Sequence, residues 1–171
     1  MNTDLFVSGG ISGAITDPDS DEAIKHAEKY YKFIRKSSTD VEQITQHTGF
    51  TYDQVLMVKN YLFVFSHKLE DGVRQFDPCF EIAESWRRLA FDPKNIQPHD
   101  RLLLSHELLE MDYVNRGFSQ REAHDKTNEV YNYTLESDQF YKTLREKNDQ
   151  KNNHTQANRI GGGISLGYNT H

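Results

Sequence analysis

The stretch Gln97 to Gly117, QPHDRLLLSHELLEMDYVNRG, has the punctuation of a helix. Pro98 suits the first helical position and Gly117 the position just past the end. At 100° per residue, His99, His106 and Glu110 fall within about 40° of one another. Leu102, Leu109 and Tyr113 flank them on one side, Leu103 and Val114 on the other. Two histidines and a carboxylate thus lie in the middle of an apolar stripe, with Glu107 at its edge. Burying ionisable groups costs several kcal/mol, on the order of a whole domain's margin, unless they are paired or bound to metal. The stripe therefore predicts either a polar core network or a site.

Helical signals continue on both sides of this stretch. Asp19 with Glu22 has capping-box spacing ahead of EAIKHAEKYYKFIRKS, where Ile24, Ala27, Tyr31 and Ile34 form one stripe. Thr39 with Glu42, Thr51 with Gln54, and Ser119 with Glu122 repeat that spacing and predict helices over VEQITQH, YDQVLMVKNYLFVF and REAHDKTNEVYNYTL. Asp77-Pro78 opens another helix, with Phe80, Ala83 and Trp86 inward. Asp71-Gly72 is the strongest turn signal and predicts a small β-hairpin near residues 65–76. The expected fold is all-α, a single compact bundle of five or six helices over residues 19–147. Residues 1–18, a Gly- and Ser-rich lead-in, and the tail 148–171 are expected to be flexible, since they have little apolar surface to bury.

The bulk properties narrow the function classes. The chain has 171 residues, enough for one domain with a real core, and aromatics reach 12%. Its formal net charge is −6, which disfavours non-specific adhesion to nucleic acid. One cysteine, Cys79, permits no intrachain disulfide and no C-x-x-C zinc site. No apolar run approaches membrane-spanning length. The opening residues lack the basic and apolar regions of a secretory signal. The chain is therefore expected to be cytoplasmic as synthesised, or delivered by a phage or by a signal-independent route.

Two local motifs bear on chemistry. Residues 40–64 have helix-turn-helix spacing around Gly49, but the second helix opens on Tyr52, Asp53 and Gln54, with only Lys59 basic. Two packed helices explain this better than a DNA reader does. His106 to Glu110, H-E-L-L-E, differs by one residue from the H-E-x-x-H of zinc peptidases. His106 and Glu110 at i, i+4 can reach one divalent metal, with Glu107 as general base and His99 or His124 as a third ligand. Histidines, tyrosines and arginines also serve metal-free phosphodiester cleavage, with Arg87 and Arg88 available to a phosphate.

Taken in order, HAEKYYKFIRK, D-V-E-Q-I-x-x-x-T-G-F, V-K-N-Y-L-F, F-D-P, I-A-E-S-W-R-R-L, H-D-R-L-L-L-x-H-E and E-A-H-D followed by Y-N-Y resemble a helical C-terminal domain of phage MuF-type head-morphogenesis proteins. A similar domain is fused to LXG-type polymorphic toxins of Gram-positive bacteria. The resemblance spans about residues 10–135 and implies a toxin or effector domain on varied delivery modules, without supplying a reaction. The matching polar positions are His26, Tyr30, Asp77, Trp86, Arg88, His99, Asp100, His106, Glu107, His124 and Tyr133.

The expectation is a histidine-dependent hydrolase of the effector type, a phosphodiesterase or nuclease. His99, His106, Glu107 and His124 are its candidate catalytic groups. Arg88, Tyr133 and His26 are candidate substrate contacts, and His106 with Glu110 a candidate divalent-metal pair. The implied partners are a nucleic-acid or nucleotide substrate and a cognate immunity protein, with no membrane. The alternatives are a non-enzymatic phage or protein-binding module, and a helix-turn-helix regulator.

Overall fold

A computed structural model describes residues 15–161, with side chains to residue 155. Among these residues seven α-helices surround one core: α1 (Asp21–Lys36), α2 (Asp40–Thr48), α3 (Tyr52–Lys59), α4 (Phe80–Phe91), α5 (Pro98–Asn115), α6 (Gln120–Asn128) and α7 (Tyr133–Gly161). One π-turn, Asn60–Val64, continues α3, and a 3₁₀ turn, Pro93–Asn95, joins α4 to α5. The expected all-α architecture is present, with one hairpin. In it β1 (His67–Leu69) pairs antiparallel with β2 (Gly72–Arg74), Lys68 opposite Val73. No helix among the described residues is long and apolar enough to cross a membrane.

The seventh helix arises because residues predicted as one helix divide. The chain turns at Val130 to Asn132, separating α6 from α7. α7 then runs past the expected boundary at residue 147 to Gly161. Residues 148–160 contain neither Gly nor Pro, so nothing in them stops a helix. At the other end, Ile15 packs against the core and the Thr16 carbonyl accepts from Arg145, so residues 15–18 belong with the bundle. The rest of the predicted lead-in, residues 1–14, lies outside the described residues.

Local rules account for most helix ends. The Thr51/Gln54 and Ser119/Glu122 capping boxes form as predicted. α1 is instead capped by Ser20, whose hydroxyl accepts from the Ala23 amide. Thr39 makes no side-chain cap, and α4 begins after Cys79 rather than at Asp77-Pro78. Ile24, expected inward, is 49% exposed, and Ala23, Ala27, Tyr30, Tyr31 and Ile34 face the core. Gly49 and Gly117, at φ 82° and 96°, make the left-handed residues that reverse the chain after α2 and α5.

Packing is densest around α4 and α5. α4 lies against α1, α2 and α5, while α5 also meets α3, α6 and α7. Trp86 of α4 is fully buried, edge-on to Phe63 with ring centroids 5.1 Å apart. Its indole donates to Asp40 at 2.9 Å, and Lys59 closes on the other oxygen of Asp40 at 2.7 Å. Lys59 is therefore buried, and the one cation expected on the second helix of the helix-turn-helix is turned away from any phosphate.

Candidate metal centre

Because α5 has neighbours on several sides, it buries more than one stripe. His99, Asp100, Leu103, Leu104, His106, Glu107, Glu110 and Met111 are all inward. Glu107, expected at the stripe's edge, is inside. The seven residues from His99 to His106 are two turns, a rise of about 10.5 Å. The two histidines accordingly enter different surroundings.

His99 joins a structural ion network. Arg88 grips Asp100 in a fork, both bonds 2.7 Å, and donates to His99 Nε2 at 3.1 Å. Asp100 also accepts from the Gln97 amide, capping α5 at the same time. Burial and the adjacent Arg88 pull the His99 pKa down to about 4, against the opposing pull of Asp100. His26 belongs to the neighbouring cluster, bonded at 2.8 Å to Glu84, which Arg87 also holds. Tyr133 is buried with its hydroxyl on Ser85. His26 and Arg88, expected at a substrate, are thus occupied by buried carboxylates, and His99 by Arg88.

His106 meets a different group. His106, Glu110 and His124 each offer a ligand atom, and the three lie within 4.8 Å of one another. The i, i+4 spacing on α5 brings His106 to Glu110 at 3.3 Å. α6 folds back beyond Gly117, supplying His124 at 2.8 Å from the same oxygen. His106 Nδ1 is 2.7 Å from the Tyr131 carbonyl, which can only accept. The ring proton is therefore fixed on Nδ1, and Nε2 faces the Glu110 carboxylate. Nε2 meets the carboxylate either by carrying a second proton, which it then donates to Glu110, or by sharing a cation with it.

Glu110 is held from behind by two residues that the sequence did not single out. Tyr61 donates to Oε1 at 2.9 Å, and Gln120 donates to the same atom. Tyr61 sits in the π-turn, whose extra residue changes which face it presents. A tyrosine within YLFVF reads as core aromatic, so only the irregular turn could have disclosed this role. Gln120 opens α6 directly after its Ser119 cap, a position with no chemical signature of its own. Burial favours the neutral form of Glu110. The bonds from His106, His124 and Tyr61 prevail, and hold its pKa down at about 2. The bond to Glu110 raises the pKa of His124 against partial burial.

The cluster separates two spaces. Outside, a groove of about 600 Å³ runs between the hairpin and α6, lined by Leu69, Arg74, Phe76, Glu110, Arg121 and His124. Arg74 pairs with Asp71 and Asp77, and Arg121 with Glu70, all in exposed positions. His67 anchors the hairpin, 2.7 Å from the Tyr61 carbonyl and stacked on Phe76. Inside, a cavity of about 110 Å³ is bordered by His106, Glu107, His124, Cys79, Tyr133 and Ser137. Burial, then the charge of Glu110, push the Glu107 pKa well above the ordinary carboxylate range.

The chain matches no family model, no curated protein and no solved structure.

Proposed function

We propose that the chain is a metal-dependent hydrolase whose divalent ion is held by His106, Glu110 and His124. The observation that carries this is the aim of His106 Nε2 at a carboxylate while Nδ1 is tied to a backbone carbonyl. That arrangement of a ligating histidine is the common one around protein-bound metals. A tetrahedral ion with bonds of about 2.0–2.1 Å spaces its ligand atoms about 3.3–3.4 Å apart. The 3.3 Å and 2.8 Å separations require only small side-chain adjustments. Two imidazoles and one carboxylate suit zinc or a similar transition metal better than magnesium or calcium. With three protein ligands a fourth position stays open, the arrangement of catalytic rather than structural sites.

A bound ion would supply Lewis acidity and lower the pKa of water at the open position. The protein's own groups do the remaining work. Tyr61 and Gln120 fix Glu110, and the Tyr131 carbonyl fixes the His106 ring. Glu107, the next residue after His106, borders the inner cavity and is the candidate proton carrier. Arg74 and Arg121 on the outer groove can exchange their surface carboxylates for an anionic substrate, because solvent screens exposed ion pairs. A phosphodiester fits that groove best. The effector role belongs to the same proposal and is supported by the motif order alone.

The test is hydrolysis of bis(4-nitrophenyl) phosphate by the full chain. We expect turnover with zinc or manganese, loss with a chelator, and recovery on adding metal back. Glu107→Gln should lower the rate about a hundredfold with an unchanged melting curve. Tight metal binding without turnover would make the cluster a structural clasp between α5 and α6. No metal binding would remove the chemistry and leave the non-enzymatic reading.

A further inference from the structure

The inner cavity carries a second signal, independent of the metal ligands' geometry. Ser137 on α7 is 1% exposed, and its hydroxyl has no hydrogen-bond partner. It borders the cavity. Glu107, 5% exposed, borders the same space. A buried hydroxyl left without a partner costs about 1–3 kcal/mol, so such groups ordinarily face water or a ligand. Glu81 and Asp138 stand at the edge of the cavity, and no Lys or Arg lines it. Its volume of about 110 Å³ admits three or so waters, at roughly 30 Å³ each, or a fragment of a few heavy atoms.

We propose that this cavity is a subsite for a small primary-ammonium group, held by the Ser137 hydroxyl and the Glu107 carboxyl and drawn in by Glu81 and Asp138. An ammonium brings three donors and one positive charge. The walls offer acceptors and acidic groups, and the basic side chains among them are the two imidazoles, His106 and His124, both turned to Glu110. A phosphate or carboxylate would meet Glu81 and Asp138, with no guanidinium or amine in the lining to balance it. The proposal rests on the hydrolase reading for its meaning. The bond under attack at His106, Glu110 and His124 then joins an amphipathic, anionic portion in the outer groove to a short aminoalkyl arm in the inner cavity. Substrates of that class are phosphodiesters or related esters bearing a two- or three-carbon amine.

Binding of the arm needs no metal, so its failure can be separated from failure of the metal site. The full chain, freed of metal with a chelator, is titrated with ethylammonium chloride, and amide and methyl chemical shifts are followed by NMR. Ethanol and propionate are the neutral and anionic controls. We expect saturable shifts confined to residues around Ser137 and Glu107 for ethylammonium alone. Ser137→Ala should weaken binding about three- to tenfold, the range of one hydrogen bond. Asp138→Asn, at an exposed position, keeps the protein folded should Ser137→Ala prove unstable, and is expected to weaken binding severalfold. Equal binding of ethanol or propionate, shifts elsewhere on the surface, no saturation, or an affinity unmoved by both variants would overturn the subsite. Those results would leave zinc binding at the histidines untouched.

Discussion

His99 and His106 share a helix and an apolar stripe, yet their partners make them opposites. Arg88 donates to His99, which is satisfied as the neutral ring. His106 points Nε2 at the Glu110 carboxylate. Since its pKa falls from an ordinary 6.5 to about 4, His99 gives a pH signature of its own. Well above pH 6.5 neither the folded nor the unfolded ring is protonated, and the full stability is present. As pH falls from 6.5 towards 4, the unfolded chain takes up a proton that the folded chain refuses, and stability is lost. Down to pH 4.5 the loss amounts to about 2–3 kcal/mol. Asp100, which opposes the shift, and Arg88, which adds to it, are the charged groups facing the ring. His99→Gln keeps an acceptor for Arg88 and removes the titration. Its unfolding free energy should fall less than the parent's between pH 6.5 and 4.5, measured by urea denaturation. Parallel curves for the two proteins would mean that His99 titrates normally and lies outside the buried network.

At the scale of elements, the centre depends on one reversal of the chain. Gly117 at φ 96° turns α5 into α6, and the Ser119 cap starts α6 three residues later in the same motif. A Cβ at Gly117 would meet nothing within 4 Å, so the demand there is conformational, not steric. Gly117→Ala should therefore cost about 1–2 kcal/mol, lowering the melting midpoint by roughly 2–8 °C. Gly117→Asn should recover part of that, because Asn tolerates the left-handed region. Ala and Asn variants that melt with the parent would show that the turn relaxes freely. The proposed ligands were legible here in part. The helical wheel brought His106 and Glu110 onto one buried face, and His124 was one of two named third ligands. The other, His99, could not be excluded from the wheel, which shows angle but not the two-turn rise. Tyr61 and Gln120 stayed hidden because a π-turn and a chain reversal decide their direction, and neither follows from residue spacing.

Across the whole molecule the all-α bundle was readable from capping boxes, stripes and one Asp-Gly turn. The limits of the bundle were less readable. Composition suggested a tail from residue 148, but a polar stretch without Gly or Pro extends α7 to Gly161. Buried charge was the harder matter. His26 and Arg88 have the chemistry of substrate contacts, and only the fold shows them paired with Glu84 and Asp100. The bundle thus sorts its buried polar residues. Asp40 is taken up by Lys59 and Trp86, and the set on α1, α4 and the start of α5 pairs His26 and Arg88 with carboxylates. A further set, where α5 meets α6, faces a groove and a cavity, with His106, Glu110 and His124 converging. The account stands on that further set holding an ion. Crystals grown with zinc, with data collected on both sides of the zinc absorption edge, test this most directly. The account predicts one anomalous peak bonded to His106 Nε2, Glu110 Oε2 and His124 Nδ1 at about 2.0–2.2 Å, absent from crystals of Glu110→Gln. No peak between those three atoms in zinc-soaked crystals, with His106 and Glu110 still 3.3 Å apart, would contradict it.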